Sequence, residues 1–208
     1  EREIPRVIEA AALHPSELSA PLQPLLAAIL VAARNHRPGT PWSRGVVIGD
    51  EGLADAPPWT RALISMLRSA IAQNGGDNAT LGVESEKAVS MFRELGDVWG
   101  TAFASQMRSE WLQLAGRLDV ALAVAGASSA GLVGLTSVTD LVQQRSQSIG
   151  LLLRLGRIDE ARARLRQSQE LARAKDSPRA IAQTDMDAAA IEIAVGDGAG
   201  ALRLLDAV

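Results

Sequence analysis

Apolar positions recur at intervals of three and four residues through most of the chain and are interrupted at a regular spacing. Leu25, Leu26, Ile29, Leu30 and Ala33 make one apolar stripe; Leu141, Val142, Ile149, Leu152, Leu153 and Leu155 make another. That period belongs to amphipathic α-helices with one face turned to a core. The β-branched run Val46-Val47-Ile48 is too short to imply a sheet.

The interruptions are glycines. Gly76, Gly116, Gly156 and Gly196 stand 40 residues apart. Gly116-Arg117-Leu118-Asp119 is echoed by Gly156-Arg157-Ile158-Asp159, and Gly76-Asp77 by Gly196-Asp197. Five residues beyond three of these glycines comes alanine, at Ala121, Ala161 and Ala201; Leu81 is the exception. Glycine suits a helix end that turns left-handed. Aspartate suits the positive start of the next helix. A small residue one turn later lets two helices approach closely.

The spacing predicts first helices over 58–75, 98–115, 138–155 and 178–195, and second helices over 78–95, 118–133, 158–174 and from 199 onward. Pro58 and Ser177-Pro178 stand where helices start, as does Thr139-Asp140. The helix over 158–174 is expected to bury Ala161, Leu165, Ser168, Leu171 and Ala172, and to expose Glu160, Arg164, Gln167, Gln169 and Glu170. Towards the N-terminus the frame loosens. A helix over 21–35 precedes a proline-rich loop around a short helix near 44–54, and residues 4–13 read as the tail of an earlier helix. Residues 1–208 are therefore expected to form one helical-repeat domain. It comprises an irregular unit 1–57, units 58–96, 97–136 and 137–176, and a truncated unit 177–208. One helix pair cannot bury its own apolar stripe, whereas stacked pairs share a continuous core. The expected fold is all-α, an α-solenoid of antiparallel helix pairs with a period of about 40 residues, whose concave groove is lined by the first helix of each pair.

Paired helices with a small residue after each turn resemble the tetratricopeptide repeat, although that repeat is shorter, about 34 residues, and its aromatic positions are mostly unfilled here. Two segments are more specific. Met91-Phe92-Arg93-Glu94-Leu95-Gly96-Asp97-Val98-Trp99-Gly100-Thr101-Ala102 and Pro58-Trp59-Thr60-Arg61-Ala62 are similar to helix junctions in the C-terminal repeat region of large actinobacterial transcriptional regulators of the antibiotic-regulatory type. Those regulators carry a winged-helix DNA-binding domain, a bacterial transcriptional activator domain and often an ATPase module. The resemblance covers about residues 20–208 and implies a cytoplasmic, non-catalytic sensory or partner-binding segment. It implies neither DNA binding nor ATP hydrolysis for this segment, which contains no GxxxxGK[ST] loop and no recognisable winged helix.

Composition narrows the picture further. A net charge of −3, from 21 basic and 24 acidic residues, argues against a phosphate-reading surface. With 47% hydrophobic but only 3% aromatic residues, the core must be aliphatic. Cysteine is absent, and two histidines, His14 and His36, have no partner at ligand spacing, so no metal site is expected. Val120 to Thr139 carries no charge over 20 residues. Its glycines and serines, and its place in the repeat, favour a helix buried on several sides over a membrane span. The chain opens on Glu1 without a signal-peptide pattern and ends inside an apolar helical run, which predicts a fragment of a longer protein.

Candidate chemistry is sparse. Asp140, Asp185 and Asp187 supply no convergent pair, since Asp185 and Asp187 would point to different faces of one helix. No G-x-S-x-G elbow occurs, and Gly75-Gly76-Asp77 and Gly196-Asp197-Gly198 read as turns. Trp59 and Trp99 are expected to fill joints between units, Trp111 to lie in the core, and Trp42 to be exposed. The basic run Arg154, Arg157, Arg162, Arg164, Arg166, Arg173 and Lys175 is interleaved with Asp159, Glu160 and Glu170, as on a solvated face.

Counting back from each glycine places Met66, Gln73 and Asn74; Phe103, Gln106, Glu110 and Gln113; Gln143, Ser146 and Arg154; and Gln183 and Met186 along the groove. Amides offer donors and acceptors together, which suits holding a peptide backbone. The expected partner is a protein or peptide segment, another domain of the same regulator, or a small effector. Neither nucleic acid nor membrane is expected, and no cofactor. Two alternatives stay open. One is a self-assembly module of a signalling ATPase, forming a homodimer through Leu202, Leu204 and Leu205. The other is an unrecognised helical enzyme.

Overall fold

The computed structural model describes residues 56–206, in which every regular element is an α-helix. They run α1 Pro58–Gly75, α2 Asn78–Glu94, α3 Val98–Leu114, α4 Leu118–Gly131, α5 Val138–Arg154, α6 Ile158–Ala174, α7 Pro178–Ala194 and α8 Gly198–Leu205. The odd-numbered helices begin at residues 58, 98, 138 and 178, and the even-numbered ones at 78, 118, 158 and 198. The chain divides into two compact units, Glu1–Met107 and Arg108–Val208, with the division inside α3. Expectations for residues before 56, including Trp42, His14 and His36, lie outside the described residues.

One local device ends most of the helices. Gly76, Gly96, Gly116, Gly156 and Gly196 have φ between +67° and +87°. The amide of Gly116 donates to the carbonyl of Gln113, and the amide of Arg117 to that of Leu112. The same two bonds close α1, α2, α5, α6 and α7. This is the Schellman motif, which satisfies two carbonyls that the helix itself leaves open. Most of the following helices are capped by a side chain just before their first residue, whereas Arg117 and Arg157, before α4 and α6, make no such bond. Asp77 accepts from the Thr80 amide at 3.0 Å, Asp97 from the Gly100 amide at 2.7 Å, Ser137 from Asp140 at 3.1 Å and Asp197 from Gly200 at 2.8 Å. Asp77 and Asp197 thus act as caps rather than as first-turn charges. After α6 the left-handed position is held by Asp176, at φ +45°.

In the first unit, α1, α2 and the start of α3 close around Ala62, Leu63, Ala88, Phe92 and Ala104. The two segments that carried the family resemblance meet here. The Trp59 indole donates to Asp97 Oδ2 at 2.7 Å, so one carboxylate both caps α3 and holds α1. Phe92 meets Trp59 edge to face, with centroids 6.3 Å apart. A Cβ at Gly100 would fall 2.2 Å from the Phe92 ring, so only glycine lets α3 pass so close to that side chain. Trp99 does not fill a joint: it is 38% exposed, its ring tilted against Phe103 with centroids 4.6 Å apart.

In the second unit the core joins Leu112, Ala121, Leu122, Ala125, Ile149, Leu151, Leu152, Ala161, Leu165 and Ile191. Ala121, Ala161 and Ala201, the alanines five beyond each glycine, are all buried. Trp111 packs on the edge of this core rather than inside it, half-buried, with the Arg108 guanidinium 4.3 Å from its ring centroid. Leu171, Arg164 and Gln169 are likewise half-buried, between the two faces assigned to α6. The uncharged stretch from Val120 is a helix ending at Gly131 and a turn through Gly134, at φ +80°. It buries one face, through Ala121, Leu122, Ala125, Ser128 and Ser129, while Ala123, Ala127 and Ala130 are exposed. No helix among the described residues is long and apolar enough to cross a membrane.

Two substitutions check this construction. Asp176→Gly removes the left-handed penalty of a side chain with a Cβ and should stabilise the fold by about 1 kcal/mol in urea titration. Gly100→Ala drives a methyl into the fully buried Phe92 ring and should cost about 1–3 kcal/mol in the same assay.

Candidate functional site

In the second unit the odd-numbered helices lie side by side, running in the same direction, and polar side chains bridge them at recurring separations. Between α3 and α5, Gln147 Nε2 donates to Glu110 Oε1 at 3.1 Å, and Arg154 Nη1 donates to Gln113 Oε1 at 3.0 Å. Between α5 and α7, Gln183 Nε2 donates to Ser146 Oγ at 3.1 Å; within α7 it also donates to Asp187 Oδ1 at 3.3 Å. The Ser146 hydroxyl donates to Asp187 Oδ2. The partners that bridge two helices are 37 or 41 residues apart, which is one repeat shifted by three residues back or one residue forward. The Thr139 and Ser177 hydroxyls meet at 3.3 Å, 38 residues apart, as do Trp59 and Asp97 in the first unit.

Five of the residues assigned to the groove, Glu110, Gln113, Ser146, Arg154 and Gln183, thus fall on one polar seam of the second unit. They are joined to one another or to near neighbours. Gln143 stands apart from the seam and is exposed, as is Met186. In the first unit Met66 and Gln73 are half-buried, and Asn74 bonds within its own helix, its amide donating to the Ala70 carbonyl at 2.9 Å. Phe103 and Gln106 are half-buried on α3.

Sequence reasoning passed over Gln147 and gave Asp187 no partner. A signal was present: Gln147 and Asp187 sit 40 residues apart, so they are the same position of successive units, and both are polar. Asp185 and Asp187 do face different environments. Asp187 is buried, whereas Asp185 is half-buried and outside the seam.

Burial pushes the Glu110 carboxyl above its ordinary value. Burial does the same to Asp187, partly offset by the hydrogen bonds from Ser146 and Gln183. Both acids therefore sit where their charge is poorly solvated, with hydroxyl and amide donors rather than an arginine beside them. At the surface the shifts are opposite. Hydrogen bonds from Ser137 lower Asp140, and the Arg157 fork, 2.6 and 2.7 Å from its two oxygens, lowers Glu160. Among the described residues no three acids or histidines converge as a metal ion would require. The chemistry available along the seam is hydrogen-bond donation and acceptance by amides, hydroxyls and two perturbed carboxyls. No family model, no curated protein and no solved structure matches the chain.

An acid raised in the folded chain holds its proton more readily there than when unfolded. Its effect is to weaken the fold as pH climbs from the ordinary value, 3.8 for Asp187, through the raised one. Asp187→Asn keeps the shape and removes the buried charge. Its melting temperature should exceed that of the parent at pH 7, and the gap should narrow as the pH is lowered through the raised value towards the ordinary 3.8, because the parent carboxyl then takes up its proton.

Proposed function

We propose that this chain is a tetratricopeptide-like α-solenoid, the non-catalytic interaction and sensor segment of a bacterial transcriptional regulator of the antibiotic-regulatory type. The observation that carries the reading is the constant register between successive odd-numbered helices. Bridges at 37, 38 and 41 residues arise when identical helix hairpins stack with one fixed offset. The meeting of Trp59, Phe92, Asp97 and Gly100 supports the family, because the residues behind the resemblance form a single joint. In this reading the first helices of each pair present the groove, and its occupant is another domain of the same regulator. Occupancy biases an active or inactive state by contacting one of them better than the other.

A second reading is favoured by a separate observation. Ile193, Val195, Leu202 and Leu205 are large, apolar and exposed near the end of the described chain. They fit a self-assembly face, which would make the protein a homodimer.

The test of the first reading is titration of the chain with the remaining domains of its full-length protein, produced separately. Saturable binding is expected, weakened at least tenfold by Gln113→Ala combined with Gln143→Ala at an unchanged melting temperature. Absence of binding overturns the reading. Parental affinity in the double variant overturns the placement of the groove. For the self-assembly face, Leu202→Glu should convert a dimer to a monomer in sedimentation equilibrium; a parent that is already monomeric removes that reading.

A further inference from the structure

A cleft of about 470 Å³ opens among α4, α5 and α6, away from the seam. Ser129, Val133, Arg145, Ala163, Arg164 and Gln167 contribute to its walls. Two guanidinium groups therefore enter one cleft from different helices, Arg145 from α5 and Arg164 from α6, and both residues are half-buried. The Arg164 guanidinium lies against the backbone of α4, where a Cβ on Gly126 would sit 3.7 Å from Nη2 and 3.8 Å from Nη1.

These charges have little local compensation. Among the described residues Arg145 has no ion-pair partner. Burial, and after it the charge of Arg164, lowers the pKa of Arg145, the direction expected for a cation that is both desolvated and repelled. Glu160 also lines the cleft, but both its oxygens are taken by Arg157, at 2.6 and 2.7 Å, and Arg164 adds only a weaker attraction. Arginine does not shed its proton at any physiological pH, so the repulsion persists until an anion arrives.

We propose that this cleft binds a small organic anion, a carboxylate or phosphate group on a short apolar body, with Arg145 and Arg164 clamping the oxyanion. Two forked guanidiniums match the geometry of either head group. The Gln167 amide offers a further donor, while the Ser129 hydroxyl is already donated to the Gly126 carbonyl at 3.0 Å; Val133 with Ala163 provides an apolar wall for the body of the ligand. The volume falls in the range of small-molecule pockets, about 300–1,000 Å³. The site goes beyond the groove reading and does not depend on it, so a failure of either leaves the other standing.

Calorimetric titration of the full 208-residue chain with hexyl phosphate, hexanoate, inorganic phosphate and hexanol tests the site. Either or both of the hexyl anions should bind saturably at one site, at least fivefold more tightly than inorganic phosphate, and the stronger of the two identifies the head group. Hexanol should not saturate. Arg145→Gln and Arg164→Gln should each weaken the tighter anion at least tenfold, and Arg203→Gln, which is outside the cleft, should leave it unchanged. Without ligand, the two cleft variants should melt at or above the parental temperature, because a repulsion has been removed. Failure of both hexyl anions to saturate overturns the proposal, as does parental affinity in Arg145→Gln. A lowered melting temperature in both cleft variants also overturns it, since it would make the guanidiniums structural.

Discussion

The carbonyls of Leu112, Leu152 and Ala172 lie in the last turn of their helices, where no later amide of the same helix is left to reach them. Each is satisfied by an amide beyond the helix end, from Arg117, Arg157 and Ser177, and that bond forms only if the residue between turns left-handed. The turn that results takes three residues, and the helices around it are mostly 17 residues long. The phase of each helix is thereby tied to the one before it. Buried alanines at 121, 161 and 201 and the recurring bridges along the seam are consequences of that phase.

The same constraint explains where chemistry gathers. Stacking side by side with a fixed offset brings a given helix position opposite its own equivalent, shifted by less than one turn. A polar residue recurring at that position, such as Gln147 and Asp187, then finds a partner on the neighbouring helix, and Asp187 is buried with both carboxyl oxygens hydrogen-bonded. Polar bridges of this kind resist slippage between helices, because sliding by one turn would carry the Asp187 carboxyl away from the Ser146 hydroxyl. The seam is thus at once a register device and the face proposed for partner binding. The cleft on the other side of α5 is different in kind. Its two arginines are not matched to one another, and that mismatch is what marks it as a place for a ligand.

Much of this was legible along the chain. Gly76, Gly116, Gly156 and Gly196 marked helix ends because a left-handed turn penalises any side chain with a Cβ. The predicted helix bounds match those observed to within two residues, as at 118–133 against Leu118–Gly131. Gly96 and Asp176, which halve the interval to 20 residues, went unused, the latter because an aspartate does not announce a left-handed turn. Of the stripe read from Leu141, Val142, Ile149, Leu152, Leu153 and Leu155, the first four are buried and the last two are half-buried.

Local pattern therefore determined the all-helical class, the helix ends and the apolar faces, because those depend on backbone sterics and on a period of 3.6 residues that any stretch of chain displays by itself. Tertiary structure alone decided that Ser146 would meet Asp187, that Trp59 would reach Asp97, that Trp111 would stop at the edge of the core, and that Arg145 and Arg164 would share a cleft. Each of those outcomes depends on the distance and rotation between two helices. That geometry is set by how their side chains interlock, which no single helix encodes.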